Sequence, residues 1–283
     1  MMKKIIVFFI MSAGAALYAQ DIGVEISDSF KIEDKNIRDF QWRKTDKKLP
    51  SLEKLVFSIY WKFIKVGEAV LEIKGIEEIN ERHAYHIVSC AKTLAVLDSF
   101  YKVRDENHSW LDAESLCSLK FNSDIREGGW IKKQKIDFDQ INKKFILDEQ
   151  GTITVGDTKR WVLDVLGALY YFRTLENETG DEYSFDVHAD KDTWVLKTRI
   201  TGRETLKTDA GVFDCYVLEP AMRKNAGIFR AEGELKIWIS ADARKIPVKM
   251  KTKIPIGSVT AELVSCDYFE QKEVKINGKT ENN

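Results

Sequence analysis

The sequence predicts a mainly β protein, in which a single large curved antiparallel sheet, barrel-like or half-barrel-like, surrounds one buried apolar helix. Two observations predict this class: period-two patterns recur across residues 51–270, and a single mid-chain segment is apolar nearly all round. The chain has 283 residues, of which 44% are hydrophobic and 31% charged. This composition is typical of a globular protein whose core forms without metal or disulfide staples.

Apolar and polar residues alternate in several segments. In the clearest one, Val248, Met250, Thr252 and Ile254 alternate with three lysines. Successive side chains on a strand point to opposite faces, so this pattern predicts strands of an antiparallel sheet with one buried face. The same alternation occupies residues 57–63, 69–73 and 235–239. Turn residues at 128–129, 209–211 and 240–243 separate the patterns, and we expect about ten to twelve strands.

The apolar segment spans residues 161–172 (WVLDVLGALYYF) and predicts a helix, with Asp157 or Thr158 as its N-cap. A helix without a polar face must be covered on most sides, so we expect it to plug the concave face of the sheet. Asp164 and Arg173 are its polar residues. Because a buried unpaired charge is costly, each needs a partner from the sheet or, alternatively, a polar head group in a cavity.

The two ends of the chain differ from this domain. Lys3 and Lys4 precede an apolar run, and Ala19 is a suitable cleavage position, so residues 1–19 predict a signal peptide. The run of about 15 residues is shorter than the ~20 that a membrane-spanning helix needs. We therefore expect a periplasmic or secreted protein without a transmembrane segment. Residues 20–50 predict a lead-in with little structure, 51–270 a single β-rich domain and 271–283 a polar tail.

Charge and motifs exclude several functions. With 44 Lys and Arg against 45 Asp and Glu, the net charge of −1 gives no footprint for nucleic acid. The chain has no G-x-S-x-G, H-E-x-x-H or phosphate-binding loop motif. His83 and His86 have H-x-x-H spacing, but on a strand they face opposite sides. We therefore predict no metal and no cofactor.

The four cysteines allow two interpretations. In an oxidising compartment Cys90, Cys117, Cys215 and Cys266 could pair in three ways. Alternatively they are small apolar core residues, as the phase of Cys215 with its neighbours Phe213 and Val217 indicates.

Four stretches carry a resemblance to a known family. They are Tyr60-Trp61 with residues 66–69 (VGEA), Asp164 with residues 169–173 (LYYFR), residues 202–213, and Trp238–Ser240 with Asp242, Pro247 and 256–258. Residues 55–268 thereby resemble the bacterial domain-of-unknown-function family numbered 3108, exported proteins of Gram-negative envelopes, although Gly167 stands where a serine is expected. The resemblance implies an exported, β-rich, single-domain protein and supplies no catalytic residues.

The sequence leaves three functions open. The first is a non-catalytic envelope protein that binds an apolar or lipid-like ligand, or a partner, on its concave face. The second is a structural or assembly protein whose strand edges recruit partners. The third is an envelope polymer hydrolase with paired carboxylates such as Asp105, Asp164 or Asp242. The candidate ligand-binding residues of the first hypothesis are Phe57, Trp61, Phe63, Asp164, Tyr171 and Arg173.

Overall fold

A computed structural model describes residues 40–221, 235–254 and 257–269. The predicted signal peptide, residues 20–39 of the lead-in and the predicted tail lie outside these residues. Fourteen strands, one α-helix, α1 (Val165–Phe172), and one 3-10 helix (Ala95–Leu97) form the described fold. The strands are β1 (Leu52–Trp61), β2 (Ile64–Ile79), β3 (Arg82–Thr93), β4 (Arg104–Asp112), β5 (Ser118–Glu127), β6 (Trp130–Asp139), β7 (Lys144–Glu149), β8 (Thr152–Asp157), β9 (Glu182–Ala189), β10 (Asp192–Thr208), β11 (Gly211–Pro220), β12 (Leu235–Ser240), β13 (Pro247–Ile254) and β14 (Gly257–Phe269).

All fourteen strands belong to one antiparallel sheet, which confirms the predicted fold class. The order is β8-β7-β6-β5-β4-β3-β2-β1-β14-β13-β12-β11-β10-β9, so chain neighbours pair and β1 joins the two halves through β14. The predicted turns at 128–129, 209–211 and 240–243 fall between strands. The strand number exceeds the expected ten to twelve. Two-residue turns with left-handed backbone at Lys62 and at Asn80 and Glu81 separate strands without a glycine, so the sequence carries little sign of them.

The two edge strands, β8 and β9, approach each other without pairing in the described sheet. The segment after β8 runs along β9, where Leu163 N–H donates to Asp186 O at 3.0 Å and Leu163 O accepts from His188 N–H at 2.8 Å. The Lys132 ammonium of β6 also binds the Asp190 carboxylate in the β9–β10 turn. These contacts bring the two ends of the sheet together into a barrel-like shape that is not closed by a ladder.

Helix α1 is shorter than predicted and begins at a different residue. Asp164, rather than Asp157 or Thr158, is the N-cap and accepts from Gly167 N–H at 2.8 Å. The preceding residues cannot be helical because Leu163 pairs with β9 and Trp161 has a left-handed φ of 64°. The prediction that this segment packs against the sheet is confirmed, since α1 shares the main core with Leu55 and Phe57 of β1.

The predicted role of the two polar helix residues as anchors is also confirmed. Ser109 Oγ and Ser118 Oγ each donate to Asp164 Oδ2 at 2.6 Å. Arg173 forms a bidentate ion pair with Glu53 at 2.7 and 2.5 Å, and both side chains are almost fully buried. The helix is therefore fixed to the sheet at both of its ends.

The four cysteines are free. Cys117 and Cys215 are buried, and Cys215 shares its buried face with Phe213 and Val217 as its phase indicates. Cys90 and Cys266 are half-buried. Of the two interpretations, the core role applies to the buried pair.

Replacing one partner of the Arg173–Glu53 pair should destabilise the fold strongly. Arg173→Met leaves a buried carboxylate without its partner, which we expect to cost about 3–5 kcal/mol of unfolding free energy. The double variant Arg173→Met/Glu53→Leu should recover most of that loss. Urea unfolding measures both. The control Asp214→Asn breaks an exposed pair with Arg203 and should cost under about 1 kcal/mol; equal losses in Arg173→Met and this control would contradict the anchoring role.

Candidate functional site

The side of the sheet that carries α1 is called here the helix face. The apolar ligand was expected there, but side chains of the protein itself occupy the region around the helix. Phe57 is fully buried in the core beneath the helix. Trp61 and Tyr171 are half-buried against the same core. Tyr171 meets the ring of Phe185 edge-on and the guanidinium of Arg43, with centroid distances of 5.5 and 5.4 Å. Side chains thus occupy the space beside these residues.

The structure corrects the predicted placement of Phe63. Its phase with Phe57 and Trp61 suggested the concave face, but β1 ends at Trp61 and Phe63 lies in the turn to β2. There its side chain is 85% exposed. The alternation of residues 57–63 continues past the end of the strand and therefore misassigns this one residue.

Asp164 and Arg173 act as anchors of the helix, and their polar atoms are bound to the protein itself. Burial raises the pKa of the Asp164 carboxyl, and hydrogen bonds from Ser109 and Ser118 oppose the rise. Arg173 also donates from Nε to Lys245 O at 3.0 Å. Both charged groups are thus bound by protein groups, as the anchoring interpretation expects.

A polar row crosses the helix face beside α1. Ser89, Asn107, Ser123 and Gln134 are successive register partners on β3 to β6, and all four are buried. Asn107 lies two positions before Ser109, whose hydroxyl reaches the helix N-cap, so the row faces the helix side. Ser123 Oγ donates to Asn107 Oδ1 at 2.7 Å, whereas Gln134 Oε1 has no partner among the described residues. This part of the helix face therefore suits hydrogen-bonding groups rather than an apolar chain.

A carboxyl pair lies next to this row. Asp105 and Glu127 share a hydrogen bond, and Asp105 Oδ1 accepts from Arg126 N–H at 3.0 Å. Burial, together with the charge of Asp105, raises the pKa of Glu127 to about 9, and burial raises the pKa of Asp105 to about 6. The pair therefore holds a proton at neutral pH. The two carboxyl groups of this pair are in direct contact, whereas the catalytic carboxyl groups of glycoside hydrolases lie roughly 5–9.5 Å apart.

The other two carboxylates of the hydrolase hypothesis have structural partners. Asp164 caps the helix, as described. Asp242 Oδ2 accepts from Arg244 Nη2 at 2.5 Å, and Asp242 Oδ1 accepts from Ser240 Oγ at 2.8 Å. Ser240 and Asp242 thus organise the β12–β13 turn.

A groove of about 440 Å³ lies on the opposite side of the sheet, called here the outer face. Its floor consists of Val56, Val70 and Cys90, which are successive register partners on β1, β2 and β3, and the same row continues to Glu106 and Asp124 on β4 and β5. Five neighbouring strands span about 19 Å at ~4.8 Å per spacing. The groove is thus apolar at one end and charged at the other.

Short side chains between rows of long ones create this groove. Glu68, Lys92 and Arg104 form one wall, in which Lys92 Nζ lies 3.4 Å from Glu68 Oε2. At the charged end, Arg126 Nη2 donates to Asp124 Oδ2 at 2.7 Å. Valine and cysteine cannot fill the depth between such side chains. The result is an apolar floor bordered by ion pairs.

A histidine pair lies beyond the groove on the outer face. His86 Nε2 lies 2.8 Å from His108 Nδ1, and the two outer nitrogens contact Glu77 and Glu106 at 2.7 and 2.9 Å. Burial lowers the pKa of His86. His83 is exposed, in agreement with its predicted opposite orientation. Among the described residues, no three His, Cys, Asp or Glu side chains are arranged as metal ligands.

A sequence model of a known family matches residues 56–264, about three quarters of the chain. The chain belongs to DUF3108, a family of proteins of unknown function. The resemblance found from four short stretches is therefore confirmed. No curated protein matches the sequence of the chain.

A solved structure with a very different sequence has a similar fold. A beta-barrel-like protein of the family of unknown function DUF1849 from Brucella abortus matches at TM-score 0.54 and 8% identity, over 79% of this chain and all of that one. A candidate exported protein with a YmcC-like fold from Bacteroides fragilis (9% identity, 78% and 99% covered) and a candidate lipoprotein from Parabacteroides distasonis (10%, 79% and 100%) match at TM-score 0.28, too low to carry an argument. The first match supports the barrel-like architecture.

The glycine at position 167 has a structural reason. A Cβ atom at this position would lie 2.8 Å from Ser118 Oγ and 3.2 Å from Asp164 Oδ2. The hydroxyl that binds the N-cap therefore comes from β5 and occupies the space of a side chain at position 167.

Sequence reasoning missed Glu127, Gln134 and the outer groove. Register partners on different strands have no recognisable spacing along the chain, so no local pattern predicts which side chains meet. One sequence signal indicated the polar row. Asn107 and Ser123 are polar residues at strand positions whose alternation would place them on the buried face.

The buried carboxyl pair should make stability fall with rising pH. Glu127 keeps its proton in the folded chain but loses it in the unfolded chain above its ordinary pKa, so wild-type stability declines from about pH 5 to about pH 9. Glu127→Gln cannot ionise, and its stability relative to wild type should rise over this range in urea unfolding.

Asp157→Asn is the matched control for this experiment. The hydrogen bond from Lys144 lowers the pKa of Asp157, so the difference between this variant and wild type should stay constant between pH 5 and 9. A constant difference for Glu127→Gln as well would contradict the shared proton.

Proposed function

We propose that the chain is an exported, non-catalytic envelope protein that binds an apolar or lipid-like ligand in the groove on its outer face. Export is supported by the basic and apolar pattern of residues 1–19. No helix among the described residues has the length and hydropathy of a membrane span. The observation that carries the binding proposal is the apolar floor of Val56, Val70 and Cys90 in a groove of about 440 Å³.

The size and chemistry of the groove fit a small amphipathic molecule. Ligand pockets commonly measure about 300–1,000 Å³ and combine apolar walls with a few polar groups. An apolar chain on the floor would lie across β1 to β3, and a polar group would reach the charged end formed by Glu106, Asp124 and Arg126. On the helix face, core side chains pack around α1 and the row beside it is polar, so among the described residues the outer groove suits an apolar ligand better.

A charge on the floor of the groove should abolish ligand uptake. We expect the wild-type chain to bind fluorescent anthroyloxy-stearate and Val70→Asp to bind it at least about tenfold more weakly, because a carboxylate at that position opposes an apolar chain. Fluorescence titration measures the affinity. Val195→Asp is the matched control, since Val195 is 54% exposed on β10, outside the groove.

Two outcomes would contradict the ligand proposal: no uptake by wild type, or equal uptake by the two variants. An assembly role is the alternative, because the described sheet leaves β8 and β9 as edges that could recruit a partner strand. Recovery of one defined protein from crosslinked envelopes, together with no fatty-acid uptake, would favour that role.

A further inference from the structure

The most exposed apolar side chains of the described protein lie in two neighbouring connections at one end of the sheet. Phe63 is 85% exposed, Phe100 83% and Val96 75%, the three highest values among the described large hydrophobic residues, and Ile64 beside them is 50% exposed. We call these four residues the apolar tip. The remaining exposed hydrophobics lie on other strands and turns, with Val212 the most exposed at 67%.

The tip residues belong to two neighbouring connections of the chain. Gly67 pairs with Thr93, and Leu94 N–H donates to Val66 O at 3.0 Å, so the start of β2 lies beside the end of β3. Ile64 and Val96 are each two residues from this contact, Ile64 on β2 and Val96 in the 3-10 helix that follows β3. Phe63 precedes Ile64 in the turn, and Phe100 follows the 3-10 helix, with its N–H donating to Leu97 O at 2.9 Å. The two connections therefore present exposed apolar side chains at the same end of the sheet.

The fold itself does not require apolar residues in these connections. The β1–β2 turn consists of Lys62 and Phe63, and Lys62 has a left-handed φ of 55°. Tight hairpin turns favour Gly, Asn or Asp, and a phenylalanine exposed in such a turn gains nothing from burial in the monomer. Clustered exposed apolar side chains mark interaction sites, in contrast to single ones.

The exposed charges around the tip are mainly basic. Lys62, Lys65 and Lys102 are exposed near the tip residues, and Lys65 Nζ also lies 3.6 Å from Glu68 Oε1. The acidic residue of the β3–β4 connection, Asp98, is half-buried and bound by Arg104, whose Nη2 donates to Asp98 Oδ2 at 2.5 Å. The combination of protruding aromatic and aliphatic side chains with flanking lysines is typical of surfaces that enter the boundary between lipid head groups and acyl chains.

We propose that the apolar tip docks the protein on an anionic lipid bilayer. Phe63, Phe100, Val96 and Ile64 enter the interface, and Lys62, Lys65 and Lys102 bind the anionic head groups. The proposal goes beyond ligand binding and does not depend on it. The two sites are close, because Glu68 of the groove wall lies four residues from Ile64 on β2, about 13 Å along the strand. A docked protein would therefore hold its groove near the membrane surface.

Vesicle flotation tests this proposal with the chain that follows the predicted cleavage site at Ala19. We expect wild type to float with vesicles of phosphatidylethanolamine and phosphatidylglycerol and much less with phosphatidylcholine alone. The double variant Phe63→Ser/Phe100→Ser should lower the bound-to-free ratio at least about tenfold. Lys62→Gln/Lys102→Gln should weaken binding to the anionic vesicles and reduce its dependence on salt.

Val96→Ser and Val212→Ser form a matched pair, because both valines are highly exposed but only Val96 belongs to the tip. Val96→Ser should reduce flotation and Val212→Ser should leave it unchanged. Absence of wild-type flotation, or equal flotation of the Phe63→Ser/Phe100→Ser variant and wild type, would overturn the proposal. Uptake of anthroyloxy-stearate by the tip variants distinguishes the two sites. The tip variants should still bind the fatty acid although they no longer float with vesicles. Absence of fatty-acid uptake in wild type would contradict the groove proposal and leave the membrane proposal unaffected.

Discussion

The structure depends on a helix that is buried on nearly every side and held at both ends by ionisable groups. Asp164 joins its start to β4 and β5, and Arg173 joins its end to Glu53 of β1. The residue before the cap, Leu163, adds a bridge to β9. One short helix thus ties together strands that are far apart in the order of the sheet, and a flat sheet could not make all of these contacts at once.

This arrangement determines where a ligand or membrane can bind. Because helix and strand side chains fill the apolar part of the helix face around α1, the proposed binding surfaces are the outer groove and the tip. The groove exists because Val56, Val70 and Cys90 are short beside long charged neighbours. The tip exists because two turns carry phenylalanine where the backbone needs no apolar side chain. Both surfaces arise from side-chain length and position rather than from the topology of the sheet.

The candidate site shows which of its features residue patterns can predict. The need of Asp164 and Arg173 for partners followed from the cost of burying charge, but Ser109, Ser118 and Glu53 could not be named as those partners. Glu53 lies 120 residues before Arg173 in the chain, and only the path of the sheet brings them together. Phe63 was misplaced for the converse reason, since its phase agrees with the core face although the strand ends two residues earlier.

The sequence by itself determined the antiparallel class, the buried helix, the family and the expectation of export, because these follow from periodicity, apolar content and short local motifs. Only the tertiary structure decided the proton-sharing contact of Asp105 with Glu127, the five-strand groove and the placement of Phe63 and Phe100 at the same end of the sheet. Each of these requires the register between strands. Register is set by the packing of the whole sheet around its helix, and no single segment of the chain specifies it.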